Sequence, residues 1–122
     1  MRPPSGEAGV AGVLVLAVAA VLALVGMLST GLAAVAVARQ RAAAVADLAA
    51  LAAAARVLDG SAVACDRAED VARRNGGRLT GCRLDGDRVE VVAEVRPAGP
   101  LGRLGVASAR ARAGPVGAGS SP

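Results

Sequence analysis

The chain has 122 residues, 54% of them hydrophobic, with no Phe, Tyr, Trp, His or Lys and a formal net charge of +4 carried wholly by Arg. Without His, the usual general base and the commonest zinc ligand are missing, and no nucleophile–base or paired-carboxylate set is visible, which argues against an enzyme and against a bound metal or cofactor. The arginines are dispersed among Asp and Glu rather than gathered in an arm, which argues against nucleic-acid binding.

Residues 1–7 (MRPPSGE) read as a short polar leader. From Ala8 to Ala38 no ionisable side chain occurs, and this run exceeds the ~20 apolar residues needed to cross a hydrocarbon core. Its only polar side chains, Ser29 and Thr30, can return their hydroxyls to carbonyls of the same helix. A helix apolar on every face needs either a bilayer or a large soluble core, and the rest of the chain is too small to supply the core. The reading is therefore a transmembrane helix over 8–38. Ala36-Val37-Ala38 has the small-residue form of a signal-peptidase site, but the preceding apolar run is about twice the usual ~7–15 residues, which favours retention as an anchor. Release after Ala38 as a small secreted binding protein is the rival reading.

Nothing breaks the helix after the membrane segment. Residues 39–58 (RQRAAAVADLAALAAAARVL) are dominated by the best helix former, with no Pro or Gly between Leu32 and Asp59. Val45, Leu48, Leu51, Ala52, Ala55 and Leu58 recur at helical spacing and are expected to form the inward stripe. Asp59-Gly60 is a stop signal. The expectation is one helix from Ala8 to Leu58, some 75 Å long at about 1.5 Å per residue, with residues 39–60 protruding from the membrane.

Residues 61–114 then form a small domain. Ser61 is the expected cap of a second helix from Ala62 to Asn75. Ala64, Cys65, Ala68, Val71 and Ala72 lie on its inner face, and Glu69–Arg73 and Asp70–Arg74 pair on its outer one. Beyond Gly76-Gly77 the period changes to two. Leu79–Leu84 is a strand, and Asp85-Gly86 a hairpin signal. Asp85 and Asp87 are turn residues rather than a metal pair. Arg88–Arg96 alternates with Val89, Val91, Ala93 and Val95 on one face. Leu104–Ala113 alternates again, and Glu90 and Glu94 are placed to pair with Arg110 and Arg112 across strands. Residues 115–122 read as a disordered Gly/Pro/Ser tail. The fold class is an α+β membrane protein: one long N-terminal helix, a short second helix and a three-stranded antiparallel sheet.

Cys65 and Cys82 can staple helix to sheet, and a thin core without aromatics favours a disulfide over two buried thiols. Such a bridge persists only in an oxidising compartment, placing the domain outside the cytoplasm. Arg39 and Arg41 pull the opposite way under the positive-inside rule. The bridge is given precedence, and the expected location is a single-pass membrane protein with its C-terminal domain extracytoplasmic.

Several stretches together carry a resemblance. They are Glu7-Ala8-Gly9 before Val13-Leu14-Val15-Leu16, Ala38-Arg39-Gln40-Arg41 followed by ADLAALAAA (46–54), the Cys65/Cys82 pair, and Ala109-Arg110-Ala111-Arg112-Ala113-Gly114-Pro115. From Glu7 to Pro115 the chain resembles the TadE/TadG-like pseudopilins of the Flp (type IVc) pilus group, and most of all the small TadE-like proteins of actinobacteria. The resemblance implies a pilin-like layout and a minor pilus-assembly or secretion component. It implies partners among the membrane, other pilin-like subunits and pilus or secretion platform proteins. It also implies processing by a prepilin peptidase after Gly9, or else after Gly6. Filament-forming pilins carry Glu at the fifth mature position. Here that position is Leu14 after a cut at Gly9 and Ala11 after a cut at Gly6, which fits an initiator, adaptor or scaffold better than a filament subunit. Gly26 and Gly31 offer close helix packing in the bilayer. An anchored envelope protein unrelated to pili is the third reading.

Overall fold

A computed structural model of the chain describes residues 5–115, with side-chain surroundings from Glu7 onward. Residues 1–4 of the expected leader over 1–7, and residues 116–122 of the expected tail over 115–122, lie outside the described residues. The chain divides into two compact units, Met1–Ala33 and Ala34–Pro122. Helix α1 (Ser5–Ala54) begins in the first and ends in the second.

The described residues of the first unit are all helix. Its large side chains are all exposed, from 52% at Val18 to 73% at Leu32. The helix starts at Ser5 rather than at Ala8, so Ser5, Gly6 and Glu7 form its first turn. Ser29 Oγ donates to the Val25 carbonyl at 2.8 Å, and Thr30 Oγ1 donates to those of Met27 (2.9 Å) and Gly26 (3.2 Å). The two hydroxyls are thus satisfied inside the helix, as the sequence predicts. By length and composition this is a helix able to cross a membrane, the one such helix among the described residues.

The second unit holds the core. Its elements after α1 are a 3₁₀ turn (Val57–Asp59), α2 (Ser61–Arg74), β1 (Arg78–Asp85), β2 (Arg88–Val95), a second 3₁₀ turn (Gly99–Arg103) and β3 (Ala107–Ala113). The sheet is antiparallel in the order β1-β2-β3, which gives the expected α+β architecture. Every fully buried core side chain is Ala or Val: Ala42, Ala46, Ala49 and Ala53 from α1, Ala64, Ala68 and Ala72 from α2, and Val89, Val91 and Ala93 from β2.

Here the expectation for α1 fails. Val45 is buried, but Leu48 and Leu51 are 45% and 61% exposed and Leu58 is 99% exposed. At about 100° per residue, the buried alanines and the leucines lie on opposite sides of the helix. Only a face of methyl-sized side chains lets the helix axis come close enough to fill a core whose largest enclosed residues are valines. The leucine side is too bulky for that approach and faces out.

Local boundaries follow from backbone chemistry. Instead of continuing to Leu58, α1 ends at Ala54 and tightens into the 3₁₀ turn, with Arg56 N–H donating to Ala53 O and Asp59 N–H to Arg56 O. The cap of α2 is Gly60 at φ 104°, not Ser61, and Ala64 N–H donates back to the Gly60 carbonyl. At its far end, Gly76 (φ 78°) gives the left-handed turn. Gly76 N–H reaches Arg73 O and Gly77 N–H reaches Ala72 O, the paired bonds of a Schellman stop. The hairpin turns on Gly86-Asp87, one residue later than expected, because Asp85 pairs with Arg88 and Gly86 carries the positive φ. An extra residue at Thr80 makes a bulge in β1. Strand β3 starts at Ala107 rather than Leu104, since 99–103 is taken by the 3₁₀ turn.

Candidate functional site

Three features of the described residues have the makings of a site. The first is the surface of the apolar helix. An added Cβ at Gly9 or Gly26 would meet nothing within 4 Å, and Gly31 is half-buried. Gly6, Gly9, Gly26 and Gly31 all lie inside α1. Gly26 therefore presents bare backbone on a helix surface that nothing in the first unit covers, which suits close approach by another helix. Further along α1, Val37, Leu48 and Leu51 are exposed on the side away from the core. They carry the apolar surface past the first charge at Arg39.

The second is the bridge. Cys65 of α2 and Cys82 of β1 form a disulfide with Cα atoms 5.9 Å apart. Cys82 packs against the Ala/Val core and Cys65 is half-buried, and the bridge closes 17 residues of chain. In the chain-entropy account a loop near that length adds about 3 kcal/mol, a large share of what so small a core can supply.

The third is the outer face of the sheet, where one carboxylate sits among arginines. Arg112 Nε donates to Glu90 Oε2 at 2.6 Å, and Arg110 Nε lies 3.8 Å from Glu90 Oε1. Arg83 lies opposite Glu90 on β1. The Arg112 hydrogen bond is the main reason the Glu90 carboxyl is held below the ordinary glutamate range. Partial loss of hydration opposes this and is outweighed, while the charges of Arg112, Arg110 and Arg83 add to the lowering. The cross-strand pairing expected of Glu90 is present, but Glu94 falls opposite Ser108 instead. On α2, Arg73–Glu69 (2.6 Å) and Arg74–Asp70 (3.1 Å) pair as predicted, and Arg67 adds a second contact to Asp70. All are exposed and contribute little to stability.

A fourth feature escapes the sequence. The loop between β2 and β3 folds back so that Leu101, Leu104 and Val106 form a cleft of about 240 Å³ with Val35 and Arg39 of α1. The signal was present as three apolar residues spaced through a Gly/Pro loop, but turn residues read as loop without saying what the loop touches. Among the described residues no group of three His, Cys, Asp or Glu gathers to hold a metal.

Compared with protein-family models, with curated proteins and with solved structures, the chain matches none.

Proposed function

We propose that this chain is a non-enzymatic, pilin-like (TadE-like) membrane protein, a minor component or assembly factor of a Flp/Tad-type pilus or related secretion apparatus. Its apolar helix is held in the bilayer, with its disulfide-bonded domain on the extracytoplasmic side. The observation that carries the reading is the division of α1. Its small-residue side supplies the core of its own domain, while Val37 at the end of the span and Leu48 and Leu51 beyond it stay exposed. A helix built this way offers one side to its own sheet and the other to neighbouring helices, which is what lateral assembly of pilin-like subunits needs. Gly26 extends the same opportunity within the bilayer. The bridge supports an oxidising compartment. Ala38 is 2% exposed, inside the core and in mid-helix. Cleavage after Ala38 would take that core residue away, which favours retention over release.

Mass spectrometry of the mature amino terminus, in membrane and secreted fractions, tests this. A start at Val10 or Glu7 that disappears when the prepilin peptidase is deleted is the expected result. A start at Arg39 in the medium would overturn it and make the protein a secreted domain. An intact Met1 in the membrane would favour an anchored protein that is not processed as a pseudopilin.

A further inference from the structure

The loop over 97–106 presents an unusual surface for a connection between two strands. Leu104 is 82% exposed and Val106 43% exposed, and Arg103 between Leu101 and Leu104 is exposed as well. The loop is nonetheless held in shape. Arg96 Nη1 donates to the Gly102 carbonyl at 2.7 Å, and Leu104 N–H donates to Leu101 O at 3.0 Å. Gly102 is buried, and a Cβ there would come within 2.5 Å of the Pro97 carbonyl oxygen, so the turn is closed too tightly for a side chain. A fixed turn that keeps a leucine outside is built to meet something apolar.

Its position along α1 says what. The cleft joins Leu101, Leu104 and Val106 to Val35 and Arg39. Arg39 is the first ionisable residue after the apolar run, so a helix crossing a bilayer leaves the hydrocarbon by this point. Side chains packed beside Val35 and Arg39 are at the level of the lipid headgroups. Arg39 and Arg103 make no ion pair with described residues; Arg39 lines the cleft, and exposed Arg103 immediately precedes Leu104 in the loop. Apolar side chains beside free guanidinium groups suit an interface of acyl chains and anionic phosphates.

We infer that the 97–106 loop is a second membrane contact, in which Leu104 and Val106 enter the headgroup–acyl boundary while Arg39 and Arg103 bind lipid phosphates. The inference rests on the membrane reading of α1. Its occupant is the bilayer, and not a neighbouring protein. With this contact the small domain is held against the bilayer at two points.

The absence of aromatic residues makes a clean test possible, because a single introduced Trp is the only emitter. Full-length L104W, L22W and L58W are reconstituted in vesicles of phosphatidylcholine and phosphatidylglycerol carrying lipids brominated near the headgroup or deep in the chain. The expected result is L22W quenched most by the deep label, L104W quenched most by the shallow label with blue-shifted emission, and L58W quenched by neither. Substituting Arg39 and Arg103 by Gln in the L104W protein should lower the shallow quenching. If L22W is quenched and L104W is not, the loop contact is wrong and the span stands. A blue-shifted L104W untouched by either label means that protein covers the loop, and overturns the inference. If L22W itself is not quenched, the membrane reading fails, and this inference with it. Leu104 is exposed, so its substitution leaves the core intact.

Discussion

The two units use apolar residues in opposite senses. In the first, leucines and valines face outward all around the helix; in the second, alanines and valines face inward and the leucines of the same helix are left outside. One rule explains both. The large side chains of the first unit suit an apolar solvent, where burial inside the protein is not what stabilises them. The second unit encloses its own core and depends on burial, but with so few residues it gains more from close approach than from bulk. Hydrophobicity alone therefore does not tell which side of α1 is core. Size does.

The sharpest way to break this comparison is to place a charge in the first unit. Val18→Arg should cost about 2.5–3.5 kcal/mol of insertion, because Arg at the centre of a span has no aqueous partner. The protein should then be extracted from membranes by alkaline carbonate, while the same change at exposed Leu51 leaves it membrane-bound. Exchanging size within the second unit gives the next largest effect. Ala49→Leu overfills a fully buried position and should destabilise by about 1–3 kcal/mol, whereas Leu51→Ala, two residues on, should stay within about 0.5 kcal/mol. Pulse proteolysis of the micelle-solubilised protein in urea would measure both. Equal losses would mean that the leucine side is the packed one.

The smallest effect belongs to Glu90. Its pKa is lowered on folding, so its contribution is present above the unfolded-state value and is lost as pH falls through the lower, folded-state value. Glu90→Gln should lower the neutral plateau slightly, flatten the acid limb by the same small amount and leave stability at the acid end unchanged, since the group is solvent-screened. An acid limb identical to that of the unmodified protein would show that the arginines around Glu90 do not hold it.

Much of this architecture is legible in the residues themselves. The long apolar helix, the alternation of Val89, Val91, Ala93 and Val95, the acid–base pairs of α2 and the Cys65–Cys82 bridge all follow from period, composition or spacing. The inward side of α1 does not, because its alanine and leucine stripes have the same helical period, and a stripe of leucines carries the stronger hydrophobic signal. What decides between them is the distance at which a sheet of valines can meet a helix, a property of the partner and not of the helix. The cleft at Leu104 is hidden for a similar reason. It joins residues from Val35 to Val106, and no local pattern announces so distant a meeting. Gly77 shows the same limit, since a Cβ there would come within 2.7 Å of Val45 Cγ1 on α1. The sequence marks Gly77 only as a helix stop.

The Cys65–Cys82 bridge also sets how the domain answers to force. A pull between α1 and the end of β3 runs through the bridge rather than along the 17 residues it closes. At about 3.4 Å per extended residue, that shortcut keeps about 50 Å of chain from being drawn out. The α2–β1 connection is then slack that no tension reaches while the two sulfurs stay joined. For the domain that continues from α1, the bridge is a limit on extension.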